Sequence, residues 1–228
     1  MYKIETHLHT CHSSPCGKED AQTIVRLYAE AGYSGIIVTD HFFRYTCRPH
    51  VWNIPYNQFF ARFIEGYHHV CRAAEPYGLK IYKGAEVRFD ESTNDYLLYN
   101  YPDELLADPD AIFSMDLDTF YPLCQQAGAL LIQAHPFRGT CTPVDPRFID
   151  GIEVYNLKAR GDSQNHLSVK LAQENPQFIT TSGSDFHYAE DAARGGIITP
   201  SLPEDEAALV SLLRSQSHLP IGPEHLEK

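Results

Sequence analysis

The sequence predicts an α/β fold closed into a barrel, and three observations point there. Strand-like and helix-like segments alternate along most of the 228 residues, the pattern of parallel strands joined through helices. Six successive strand ends each carry a polar residue able to ligate a metal. The mouth of a barrel gathers strand ends around one point, whereas an open sheet spreads them along a line. The length suits one domain over residues 1–228 rather than two, with roughly 70 to 75 % of the unfolded chain's surface buried on folding.

Residues 2–8 alternate apolar and polar side chains as a strand does, then meet the polar stretch 10–16. Residues 21–31 carry apolar side chains at helical spacing and stop at Gly32. The apolar run 35–39 reads as a buried strand parallel to the first, with Asp40 and His41 at its carboxyl end. Residues 42–55 form an aromatic, turn-rich connection containing Trp52; connections this long often carry function. The aromatics of residues 42–60 either wall a pocket or form a satellite core. A helix is predicted over 57–77, stopped by Gly78. Strands follow at 79–87, ending near Glu86, and at 95–99. A helix at 116–126 is closed by Gly128, and the strand 129–134 delivers His135. A strand at 151–155, a helix at 163–174 and a strand at 178–181 lead to Asp185 and His187. A last strand is expected at 196–199, and Ser201 with Glu204 reads as a capping box before a helix at 204–215.

The formal net charge of −12 opposes non-specific attraction to nucleic acid and to anionic membranes. Apolar runs fall far short of the roughly 20 residues a membrane span needs. The first residues lack the basic-then-apolar pattern of a signal peptide. Six cysteines at irregular spacing, without a C-x-x-C pair, read as reduced thiols in a cytoplasmic protein.

His7 and His9 flank one residue, and alternation on a strand points both imidazoles to one side. Asp185 and His187 repeat that spacing, with His41, Glu86 and His135 between. Imidazole nitrogen with carboxylate oxygen is a ligand set for zinc, manganese or iron, and a carboxylate can bridge two ions. One histidine alone is more often a hydrogen-bonded structural residue, but five in phase with the strands reverse that weighting. His50, His68, His69, His166, His218 and His225 fall instead in helices, loops or the tail. There is no G-x-S-x-G elbow, P-loop or H-E-x-x-H helix.

His7-Leu8-His9-Thr10, Thr39-Asp40-His41, Gly84-Ala85-Glu86, Ala134-His135-Pro136 and Ser184-Asp185-Phe186-His187, in this order, resemble the motifs of the PHP family, named for polymerase and histidinol phosphatase. The likeness spans nearly the whole chain. It implies a distorted, TIM-like (β/α)7 barrel and up to three divalent ions that catalyse phosphoester hydrolysis. It further implies that His7, His9, Glu86 and Asp185 hold one ion and that Glu86 bridges to a second, held also by His135. His41 and His187 would hold the third. The chain departs from the family pattern twice. No histidine stands between Glu86 and His135, where Asp95 is the best-placed substitute. In the loop after the first motif, Ser14-Pro15-Cys16-Gly17 replaces a customary histidine or aspartate, so Cys16 is either a soft ligand or an inert thiol.

The expected function is therefore a metal-dependent phosphoesterase with two to three divalent ions of zinc, manganese or iron. Its partner would be a small phosphorylated metabolite such as histidinol phosphate, a nucleotide or a sugar phosphate. Water held between two ions would be the nucleophile, its pKa lowered from 15.7 toward roughly 7. Glu86 and Asp185 would act through the ions, and Arg138 is placed to reach a phosphate oxygen unless it is a surface arginine. Glu153 and Asn156 either orient the ligands or are buried structural groups. Two alternatives are an amidohydrolase-like enzyme, against which Glu86 stands where a bridging lysine is often found, and a non-catalytic metal-stabilised module.

Overall fold

The structure, a computed structural model, describes residues 1–47 and 54–225. Among the described residues ten strands form one sheet: β1 (Tyr2–Glu5), β2 (Gly35–Val38), β3 (His41–Phe42), β4 (Lys80–Val87), β5 (Tyr96–Tyr99), β6 (Leu130–Gln133), β7 (Gly151–Asn156), β8 (Ile179–Gly183), β9 (Ile197–Thr199) and β10 (Leu219–Pro220). Their order is β10-β9-β1-β2-β4-β5-β6-β7-β8, with the short β3 paired to β4. Just beyond β1 and β8, Leu8 bridges Phe186 in parallel. The His9 amide donates to the Phe186 carbonyl at 3.0 Å, and the Phe186 amide to that of His7 at 3.2 Å. The sheet is thus a nearly closed barrel, stitched at the end where the first and last motifs lie.

The sheet is mixed rather than parallel throughout: β5 runs antiparallel to β4 and β6, and β9 antiparallel to β1. The reason is the connection after β4, where residues 88–95 carry no helix. Parallel strands need a long crossover, and a short connection returns the chain antiparallel. The reversal brings the start of β5, and so Asp95, to the mouth of the barrel.

Strand residues from around the sheet, including Ile4, Ile37, Tyr82, Leu97, Ile132 and Ile197, form one buried cluster, which fits only the inside of a barrel. Helices cover the outside. α1 (Ala21–Glu30) buries Ala21, Ile24, Val25 and Tyr28 and is capped by Asp20, the stripe expected of an amphipathic helix. The helix predicted over 57–77 is instead two, α2 (Tyr56–Phe63) and α3 (Glu65–Ala74), followed by a 3-10 turn. At the break, the Gly66 amide donates to Ser13 Oγ at 2.7 Å. α4 (Pro109–Phe113), α5 (Leu117–Ala127) and α6 (Asn165–Glu174) follow. Among the described residues no helix is long and apolar enough to cross a membrane.

The last helix, α7 (Glu206–Arg214), is not started by Ser201 and Glu204. Asp205 is its N-cap, with its carboxylate accepting from the Ala208 amide at 2.8 Å. Asp205→Ala should cost about 1 kcal/mol, whereas the exposed Ser201 should tolerate alanine. Urea unfolding of the two variants distinguishes the assignments, and equal losses would contradict the observed cap.

Candidate metal centre

The first and last motifs are pinned by one buried carboxylate. Glu5, at the end of β1, accepts at Oε1 from the amides of Thr6, His7 and Ser184, each at 2.9 Å. Its Oε2 accepts from Tyr28 Oη at 2.7 Å and Ser184 Oγ at 2.5 Å. Burial pushes this carboxyl above its ordinary pKa, opposed by the hydrogen bonds from Ser184, His7 and Tyr28. Sequence reasoning missed Glu5; the available signal was an acidic residue at a strand end, two positions before His7.

Three overlapping clusters lie beyond these strand ends, the ligand atoms of each within 4.8 Å of one another. His7, His9 and Asp185 form the first, His7, Glu86 and His135 the second, and His9, His41 and His187 the third. His7 Nε2 lies 3.1 Å from His9 Nε2, 3.2 Å from Glu86 Oε1 and 3.7 Å from Asp185 Oδ1. His9 Nε2 is 3.3 Å from Asp185 Oδ1 and 3.5 Å from Glu86 Oε2. Glu86 also meets His41 Nδ1 at 2.6 Å and His135 Nε2 at 3.3 Å. Two of these residues depart from strand geometry, His135 with φ 29° and Asp185 with φ 46°. For non-glycine residues this left-handed region costs roughly 1 kcal/mol or more, and His135 also precedes Pro136.

A hydrogen bond to the far side of the His7 ring fixes which of its nitrogens faces the cluster. His7 Nδ1 lies 3.0 Å from Glu153 Oε1, an acceptor that holds a proton on Nδ1 and leaves the Nε2 lone pair for an ion. His187 Nδ1 lies 2.8 Å from the Asp185 carbonyl oxygen and 3.2 Å from Asp185 Oδ1. Glu153 Oε2 also accepts from the His135 amide at 3.1 Å and from Asn156 Nδ2 at 3.0 Å. Asn156 Nδ2 reaches Asp185 Oδ2 at 3.3 Å. Both residues hold the cluster in place from behind.

The electrostatics are those of a site built around cations. Burial alone would raise both carboxyls, yet His7 and His41 hold Glu86, and His7 and Arg138 hold Asp185, well below the carboxylate range. Burial opposes charge on His41, but Glu86 and Cys16 raise it to about 10. His9 is lowered, first by burial and then by His41 and His187. Two imidazole nitrogens 3.1 Å apart and ionised carboxylates 2.6 to 3.7 Å from imidazole nitrogens form a donor set that suits divalent ions.

Other predicted residues are placed less simply. Asp40 faces away, accepting from Thr10 and Ser14 at 2.6 to 2.8 Å, and so clamps the loop. Asp95 lies 3.7 Å from His135 Nε2 but is held by Arg88 through two bonds of 2.6 Å. It forms a fourth cluster with His135 and Cys141, a thiol that sequence reasoning did not single out. Arg138 pairs with Asp185 and reaches His135 Nε2 at 2.7 Å. Lys158, also missed, stands 2.9 Å from His187 Nδ1 and 3.5 Å from Asp185 Oδ1. Its signal was a lysine two residues past a strand end. Burial pushes the Cys16 thiol up, but the imidazoles of His41 and His187 bring it down to about 5.

These groups open on a pocket of about 260 Å³ whose lining includes Cys16, His41, Arg88, Arg138, Lys158 and His187. The aromatics of the long connection divide: Phe43 and Tyr45 line the pocket, whereas Phe42 and Phe59 are core. Trp52 and His50 lie outside the described residues.

A family model described as PHP domain matches residues 5–193. Among solved structures, PsfC from Pseudomonas syringae PB-5123 has a TM-score of 0.69 at 20% identity, the match covering 96% of this chain and 91% of that one. A two-domain protein from Bacteroides vulgatus, containing a predicted PHP-like metal-dependent phosphoesterase, has a TM-score of 0.67 at 15% identity. The match covers 96% of this chain but only 64% of that longer one. An amidohydrolase from Chromobacterium violaceum with bound sulfate has a TM-score of 0.57 at 14% identity, covering 97% and 99%. At these identities the likeness is one of fold. No curated protein matches the chain.

Proposed function

This chain belongs to the PHP domain family, and from that premise we propose that it is a metal-dependent phosphoesterase acting on a small phosphomonoester. The observation that carries the reading is that the three overlapping ligand clusters reach, through His41 and His187, a pocket that the cations Arg138 and Lys158 also line. Divalent zinc, manganese or iron, held by His7, His9, His41, Glu86, His135, Asp185 and His187, would supply Lewis acidity and lower the pKa of water to roughly 7.

The chain's own groups do the positioning. Glu153 keeps a proton on His7 Nδ1. The Lys158 ammonium lies 2.9 Å from His187 Nδ1 and 3.5 Å from Asp185 Oδ1, and an incoming phosphoryl oxygen offers it a further acceptor. Arg138 can turn its fork from Asp185 to a second oxygen of the same phosphoryl group. The pocket volume suits a small substrate, and the net charge disfavours nucleic acid or membrane as a partner. Free thiols at Cys11, Cys16, Cys71, Cys124 and Cys141 support a cytoplasmic setting.

The test is hydrolysis by manganese- or zinc-loaded protein of an aryl phosphate and a panel of phosphometabolites, beside amides and lactones. Phosphomonoester hydrolysis supports the reading; no turnover of any phosphate, or preference for amides, overturns it. Arg138→Met and Lys158→Met should each lower kcat/KM by roughly 10- to 100-fold. That range corresponds to the loss of one charge-assisted hydrogen bond of about 1.5 to 3 kcal/mol. Inhibition by inorganic phosphate should weaken in parallel, and unchanged inhibition would remove both residues from the oxyanion site.

A further inference from the structure

Cys16 is held between two imidazoles by a loop whose every turn is fastened. The Ser14 amide donates to the Thr10 carbonyl at 2.9 Å, and Ser14 Oγ donates to Asp40 Oδ1 at 2.6 Å while accepting from the His41 amide at 2.9 Å. On the other side of Cys16, the Gly17 amide donates to the Ser14 carbonyl at 3.0 Å and the Lys18 amide to the His187 carbonyl at 2.9 Å. A Cβ at position 17 would stand 2.7 Å from the Thr10 carbonyl carbon and oxygen, so the loop can close this tightly only with glycine there. One anchor is thus the backbone of His41 and the other that of His187. The thiol between them lines the same pocket as both rings.

We infer that Cys16 is a metal ligand and makes the position bounded by His9, His41 and His187 a thiolate site suited to a thiophilic divalent ion, zinc or iron(II), rather than manganese. The inference rests on the metal-site reading above and specifies which ion one part of that site takes. Three neutral imidazoles bring no charge to a divalent ion, and a thiolate adds charge and a soft donor together. His9, His41 and His187 already bring ligand atoms within 4.8 Å of one another, a second indication that this position is built for an ion. As the sulfur–metal bond forms, the thiol proton passes to solvent water. Cys141 is differently placed: its thiol donates to the Thr93 carbonyl at 3.3 Å and stands 3.9 Å from His135 Nδ1, at the other cluster.

The test is the near-ultraviolet absorption of the full chain loaded with cobalt(II) under reducing conditions. A sulfur-to-cobalt charge-transfer band is expected, lost in Cys16→Ser and kept in Cys141→Ser. Cys16→His should keep the ion without the band, which separates ligation from a folding defect. Zinc affinity, read by competition with a chromogenic chelator, should fall more than about tenfold in Cys16→Ser, while manganese affinity holds. A band that survives Cys16→Ser, or one that Cys141→Ser removes, overturns the inference. Cobalt bound with no sulfur band overturns it too and leaves the phosphoesterase reading standing, whereas a chain that binds no cobalt overturns both.

Discussion

Glu86→Gln is expected to lower kcat/KM for a phosphomonoester by about a thousandfold or more and to reduce the metal content of the purified protein. Glu86 is where the clusters meet: its two oxygens face His7, His9, His41 and His135 at 2.6 to 3.5 Å. A carboxylate can offer one oxygen and part of its charge to each of two ions, whereas an amide of the same shape offers one neutral oxygen. Losing several kcal/mol of metal-derived charge stabilisation, about 4 kcal/mol, is roughly three powers of ten in rate. The measurement pairs steady-state kinetics with elemental analysis of metals per chain. A variant that keeps both its full metal content and its rate would show that Glu86 does not bridge. Loss of metal and of melting temperature from a wild-type protein that hydrolyses nothing would instead identify a metal-stabilised module.

Much of this site was legible because strand periodicity and ligand chemistry agree. His7 and His9, two apart beyond β1, do bring their Nε2 atoms to within 3.1 Å of each other. The matching pair at the far end behaves differently: Asp185 joins His7 and His9, while His187 joins His9 and His41. The left-handed backbone at Asp185 breaks the alternation there; no strand pattern encodes that, and the expected split of this pair between two ions came from the family resemblance alone. Asp40 shows the opposite failure. It sits at a strand end in a metal-like motif, yet Thr10 and Ser14 occupy its oxygens. The reversal of β5 was hidden because the periodicity of a strand carries no direction. Glu5, Lys158 and Cys141 were missed because their roles lie in partners far along the chain, Ser184 being 179 residues from Glu5.

The largest loss of stability from one side chain is expected at that same Glu5. Glu5→Ala should cost about 3 to 5 kcal/mol, the range for removing one partner from a buried charged network. The two oxygens of Glu5 differ in what they face. Oε1 receives three backbone amides, which can only donate. Oε2 receives the hydroxyls of Tyr28 and Ser184. The Tyr28 hydroxyl can rotate to accept instead, but Ser184 Oγ already accepts from the Arg194 and Gly195 amides at 3.1 and 2.9 Å. A glutamine with its carbonyl oxygen at the Oε1 position therefore keeps the three amides and Tyr28 and leaves the Ser184 hydroxyl without its acceptor. Glu5→Gln should thus cost about 1 to 3 kcal/mol, less than Glu5→Ala. Urea unfolding of the metal-free protein measures the order. Because the Oε1 amides belong to Thr6, His7 and Ser184, the alanine variant should also hold its metals less tightly at fixed chelator concentration. If glutamine proves as damaging as alanine, the charge rather than the geometry of the acceptor ties the two motifs together.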